Sequence, residues 1–251
     1  MHDLLQQLIR FSTEQLRGDS YLTSQLYTMM EQTTPDAAVL YASLIGSLLE
    51  VEDLKAANRY CAMLDSPNPK MRSALIKSAP HYAIPTEQLT ELVSDSDLEV
   101  SALASALLES QVHHDSTLID ANSLSKELLA IAQHGSEHAR KNAITTLSIF
   151  SEEPLRGKLG DVADVLVPIL ITATTPLEVR RASSSTLANL LPHASTCVME
   201  TVISAMEQEV AITESPEQLQ MVIDVLLSCG QPGLEAISRT GIVSSHNSTL
   251  V

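Results

Sequence analysis

Residues 176–190 read Pro-Leu-Glu-Val-Arg-Arg-Ala-Ser-Ser-Ser-Thr-Leu-Ala-Asn-Leu. A skeleton runs through them: apolar Val179, then Arg180, small residues at Ala182 and Ser183, and apolar residues at Leu187 and Leu190. Apolar groups three, four and seven or eight apart lie on one face of a helix. The skeleton returns at Ala139, with Arg140, Ala143, Leu147 and Phe150. It returns at Val100, with Ala104, Leu108 and Gln111, and at Met71, with Arg72, Ala74 and Ala79. A last copy starts at Leu219, with Val222, Ile223 and Leu227. The anchors at 71, 100, 139, 179 and 219 are 29, 39, 40 and 40 residues apart. A period near 40 with two helices per unit marks a stacked helical repeat.

Working outward, helical spacing continues almost everywhere, as in Leu4, Leu5, Leu8 and Ile9, or Val162, Val165, Leu166, Ile169 and Leu170. Short breakers divide the segments: Thr33-Thr34-Pro35, Ser66-Pro67-Asn68-Pro69, Ser94-Asp95-Ser96-Asp97, Thr174-Thr175-Pro176 and Glu214-Ser215-Pro216. Hydroxyl, Asp and Asn side chains cap the free N–H groups of a following helix, and Pro fits its first turn. This predicts about a dozen helices with short connections.

Val165-Leu-Val-Pro-Ile-Leu170, the turn after it, Glu178-Val-Arg-Arg-Ala182 and Leu187-Ala-Asn-Leu190 together resemble an armadillo/HEAT repeat. Ala139 to Leu147 resembles a second copy of its later half. The resemblance covers residues 35–240. It implies an all-α fold, a right-handed α-solenoid of about five or six stacked helix pairs. Residues 1–64 are expected to form an N-terminal helical capping region continuous with the solenoid. Residues 65–240 form the repeats, and 241–251 a disordered polar tail. The second helices, predicted near 70–80, 98–110, 137–150, 177–191 and 217–229, would line the concave surface.

The chain has 251 residues, 31 acidic and 15 basic, for a net charge of -16. Nucleic acid is excluded as the expected partner, because phosphate binding needs clustered Lys and Arg. Tyr 5, Phe 2 and Trp 0 leave few stacking platforms for bases. The charge is unevenly placed. No Lys or Arg lies between Lys77 and Lys126, where there are eight acids, nor between Arg181 and Arg239, where there are seven. The block 126–181 holds seven of the fifteen cations. No apolar run is long enough to span a membrane, and the N-terminal residues read as an amphipathic helix with no signal-peptide pattern. Cys61, Cys197 and Cys229 sit far apart in apolar helical segments, as buried free thiols of a reducing compartment do. A cytoplasmic or nuclear protein is expected.

The arginines after three anchors, Arg72, Arg140 and Arg180, are expected to pair with acids that open the next unit, near Asp97 and Glu178. Lys141 and Arg181, one residue later, lack that structural role and are expected as exposed cations. Asn189 stands where armadillo repeats that bind extended peptides place an amide, but Ile149, Ser110 and Cys229 at matching positions break the series. Glu99, Glu109 and Asp115 represent the first acidic stretch. With Lys141, Arg181 and Asn189 they form the expected partner-binding set. Catalytic, metal and cofactor motifs are not found: Gly135-Ser136 separates His134 from His138, and adjacent His113 and His114 point apart on a helix. Thr249-Leu250-Val251 matches the short pattern that PDZ domains capture.

The expected function is a non-enzymatic protein-protein interaction module, a scaffold or adaptor. It binds a protein, a basic or helical segment, on its concave, partly acidic surface. The alternatives are a subunit of an obligate complex, or an enzyme or enzyme accessory on the same HEAT-like fold, such as one for chromophore attachment.

Overall fold

The computed structural model describes residues 20–49, 54–80 and 83–241. The expected N-terminal amphipathic segment, the tail beyond Gly241 and the C-terminal Thr-Leu-Val lie outside the described residues. The described residues form thirteen α-helices and no strand. They are α1 (Ser20–Glu31), α2 (Pro35–Leu48), α3 (Leu54–Ala62), α4 (Pro69–Ser78), α5 (Thr86–Leu92), α6 (Leu98–His114), α7 (Ala121–His134), α8 (Glu137–Thr146), α9 (Leu159–Ile171), α10 (Leu177–Leu190), α11 (Thr196–Ile212), α12 (Pro216–Ser228) and α13 (Gln231–Thr240). Six successive pairs are thus followed by α13, and each anchored segment falls on the second helix of a pair. The fold is all-α, as the repeat period predicts.

The helix starts follow from the breakers. The side chains of Asn68, Asp120, Ser195 and Ser215 accept backbone N–H groups of Lys70, Asn122, Val198 and Gln218. Asp97 accepts from both Glu99 and Val100, at 3.0 and 3.1 Å. Three helices run on into 3₁₀ turns, 63–65 after α3, 147–151 after α8 and 191–193 after α10.

Two compact units divide at Gln111/Val112. In the first, α1 packs on α2, α2 on α4, and the turn at 63–65 on both α3 and α4. Its largest fully buried side chain among the described residues is Tyr60, whose hydroxyl donates to the Leu75 carbonyl at 2.7 Å and meets Ser78 Oγ at 3.0 Å. Burial keeps this phenol neutral far above the usual range. Gly46 of α2 lies under that hydroxyl, where a Cβ would clash with Tyr60 and with the Ser78 backbone.

The second unit is built in two layers. First helices stack on first helices (α7 on α9, α9 on α11), and second on second (α8 on α10, α10 on α12), while each pair also packs internally. The core between the layers comprises Leu159, Val162, Leu166 and Leu170 of α9, with Ala143, Ile144, Val179, Leu187, Val222 and Leu226 of the second helices, all buried. The Ser-rich centre of α10 explains the close second-helix layer. Ser184 Oγ donates forward to the Met221 carbonyl of α12 at 2.9 Å, and Thr186 Oγ1 donates back to the Ile144 carbonyl of α8 at 3.0 Å. Small side chains let the backbones approach, and each buried hydroxyl is satisfied by a neighbour's carbonyl. At the end, Gly230, with φ 64°, opens α13, and Gly233 sits directly on the Leu226 carbonyl.

Candidate partner-binding face

The exposed side of the second-helix layer in the second unit is where charged groups are organised. Lys141 lies in the first half of α8. Its Nζ is 3.6 Å from Glu178 Oε2 at the start of α10. Glu178 Oε1 also accepts from Arg181 at 2.9 Å, and Arg181 reaches on to Glu217 at the start of α12, 3.9 Å away. The charges alternate along a relay across three successive helices: Lys141, Glu178, Arg181, Glu217. Both acids sit in the first turn of their helices, where the helix dipole favours negative charge. All four side chains are half exposed, so each pair contributes about 0–1 kcal/mol, and the relay organises the surface more than it stabilises the fold.

Beyond the relay, α10 and α12 flank a groove of ≈ 480 Å³ lined by Arg181, Ser185, Ala188, Glu217, Met221 and Asp224, among others. Oδ1 of Asp224 accepts from Gln220 Nε2 at 2.7 Å. Asn189 is exposed on α10, one residue beyond the groove lining. A second cleft of ≈ 400 Å³ lies between the first helices α9 and α11, walled by Val167, Pro168, Val198 and Val202.

The expected set of six divides between the two units. Glu99, in the first turn of α6, pairs with Lys77 of α4. Glu109 is half-buried further along α6. Asp115 caps the 3₁₀ turn at 116–118, accepting from the Thr117 hydroxyl at 2.6 Å and its N–H at 3.0 Å. Those two bonds, the hydroxyl first, hold its carboxyl below the usual range. Lys141 and Arg181 are brought together on Glu178.

Two expectations about the basic residues need correction. Lys141 and Arg181 are exposed, but they carry the helix-to-helix ion pairs expected one residue earlier. Of those earlier arginines only Arg72 pairs with an acid, bidentate to Asp95 at 2.7 Å for both bonds. Arg140 instead donates to the Ala132 carbonyl at 2.9 Å, and Arg180 to Gln218 Oε1 at 2.7 Å. The reason is direction: a residue just after a buried anchor points into the seam between layers, where carbonyls and amides are available, and the next one points to solvent. Cys197 is likewise exposed, against expectation, while Cys61 is half-buried and Cys229 buried. His134 ends α7 and His138 lies in α8, so no single helix presents both. No group of three or more His, Cys, Asp or Glu that could hold a metal ion occurs among the described residues. None of the described helices is long and apolar enough to cross a membrane. In the sequence, Glu217 and Asp224 stand out only as part of an acidic stretch. The signal that finds Glu217 is an acid at the start of one second helix following a cation near the start of the previous one, and Asp224 lies two turns further along the same face of α12.

No family model and no curated protein matches the chain. The structure is similar to importin beta, solved as a crystal structure in an ammonium sulfate condition. The TM-score is 0.54 at 15% sequence identity, over 92% of this chain. The chain spans 31% of the length of that protein. The likeness establishes the fold, an all-α helical-repeat solenoid.

Proposed function

We propose that this helical-repeat solenoid is a non-enzymatic protein-interaction module, a scaffold or adaptor, whose second-helix face in the second unit receives a segment of a protein partner. The observation that carries this is the groove between α10 and α12, opening beside an ordered row of charged groups that runs over α8, α10 and α12. Stacked helices hold such a surface in place before binding, which lowers the ordering cost of association. The acidic excess favours a partner segment with basic character. Three free thiols fit work in the cytoplasm or nucleus.

The test is a comparison of proteins captured from the native cell by the full chain and by Ser185→Trp, which fills the groove from an exposed position. Circular dichroism confirms that both fold. Partners lost from the variant support the reading, and an identical set of captured proteins refutes it.

A further inference from the structure

The α10–α12 groove is not uniformly acidic, and its two ends differ in what they can accept. At one end Glu217 is already met by Arg181, which is shared with Glu178. At the other end Asp224 has only the neutral amide of Gln220 on its carboxylate, and no ion pair joins it to a cation among the described residues. Seven positions along α12 separate the two acids, about 10 Å. Between them Met221, Ala188 and Ser185 present short and apolar surfaces. An aliphatic stem can lie along such surfaces while its charged head stays in water beside Asp224.

Resting on the reading above, we infer that the groove is a single-cation subsite. It takes one lysine or arginine side chain of the partner at Asp224, and Arg181 rejects a second cation at the Glu217 end. The complementary segment is therefore not polybasic. Extended chain advances about 3.3 Å per residue, so the position facing Arg181 lies about three residues from the bound cation and is neutral or acidic. Like charges brought together across an interface are a standard means of excluding wrong partners.

The full chain, labelled with ¹⁵N, is titrated with three capped peptides: Ala-Ala-Lys-Ala-Ala, Ala-Ala-Gln-Ala-Ala and Lys-Ala-Ala-Lys-Ala. The first is expected to shift the amides of Ser185, Ala188, Gln220 and Asp224, and the glutamine peptide is expected to leave them unmoved. Asp224→Asn weakens the lysine peptide by about fivefold. The di-lysine peptide gains no more than about twofold over the mono-lysine peptide on the native chain, and about threefold or more further in Arg181→Gln. Thermal melts confirm that both variants, altered at exposed positions, remain folded. The subsite is refuted if Asp224→Asn leaves the titration unchanged, or if the native chain prefers two lysines as strongly as Arg181→Gln does. Partners that are lost with Ser185→Trp but kept by Asp224→Asn would overturn the subsite alone and leave the interaction module standing.

Discussion

Gln218 of α12 accepts a 2.7 Å hydrogen bond from Arg180 of α10 through Oε1, and its Nε2 donates to the Leu170 carbonyl of α9 at 2.9 Å. One buried amide therefore ties three helices from two successive pairs. Arg180 depends on it, because its Nε is buried with no hydrogen-bond partner. Replacing Gln218 by Met keeps the volume but leaves a guanidinium donor and a carbonyl unsatisfied. The expected loss is about 2–3 kcal/mol, read as a lower urea midpoint. An unchanged midpoint would show that water replaces the clamp.

The two ion pairs joining α4 to the turn before α6 and to the start of α6 should behave differently. Arg72 and Asp95 are largely buried, at 12% and 8% side-chain exposure, whereas Lys77 and Glu99 are at 53% and 60%. Asp95→Asn is expected to cost about 2–3 kcal/mol, since it breaks a bidentate, charge-assisted contact. Glu99→Gln should cost less than about 0.5 kcal/mol and vary with salt. Chemical denaturation of both variants at low and high ionic strength checks the ranking.

Tyr60 predicts a stability loss on the alkaline side. Burial raises its pKa in the folded chain, while the unfolded chain ionises near the ordinary value of about 10. Its contribution is intact below about pH 10 and declines as pH rises, because the unfolded chain then releases a proton that the folded chain retains. Tyr60→Phe loses the bond to Leu75, about 1 kcal/mol at pH 8. The gap between the native chain and Tyr60→Phe should narrow above about pH 10. Denaturation curves across this range supply the measurement, and a gap independent of pH would contradict it.

Two glycines should respond in opposite directions to alanine. A Cβ on Gly233 would fall 1.7 Å from the Leu226 carbonyl oxygen, so α13 must move off α12. Gly233→Ala is expected to cost about 1–3 kcal/mol. At Gly160, early in α9, the nearest atom would be Val198 Cγ2 at 3.6 Å, an ordinary contact. Gly160→Ala should stabilise by about 0.4–1 kcal/mol, by narrowing the unfolded ensemble. Melting temperatures of the pair report both signs.

Apolar spacing made the second helices legible, because Val179, Leu187 and Leu190, or Ala139, Ala143 and Leu147, repeat a buried face that a helix must hide. The short interval between the anchors Met71 and Val100 also has a physical basis: the intervening α5 has only seven residues. The charged surface was less legible. Whether Arg180 or Arg181 reaches the neighbouring acid is a matter of one 100° step around the helix, and the skeleton alone does not say which residue faces the seam. The skeleton marks Ala182 and Ser183 as its small positions and says nothing of Ser184 and Thr186, whose bonds to Met221 and Ile144 depend on which helices lie beside α10. The pairing of those helices is a long-range fact that no local spacing contains.

The relay from Lys141 to Glu217 also has a direction. Within α10 the acid, Glu178, faces the preceding helix, and the cation, Arg181, faces the following one. A tandem duplication of α9 and α10 would set Arg181 of the first copy against Glu178 of the second, and the alternation would survive. A duplication of α11 and α12 would not extend it. The residue three after Glu217, in the place that Arg181 holds after Glu178, is Gln220, a neutral amide, so nothing there passes charge forward. Internal duplication would thus continue the charge alternation if it copied α9 and α10, and interrupt it if it copied α11 and α12.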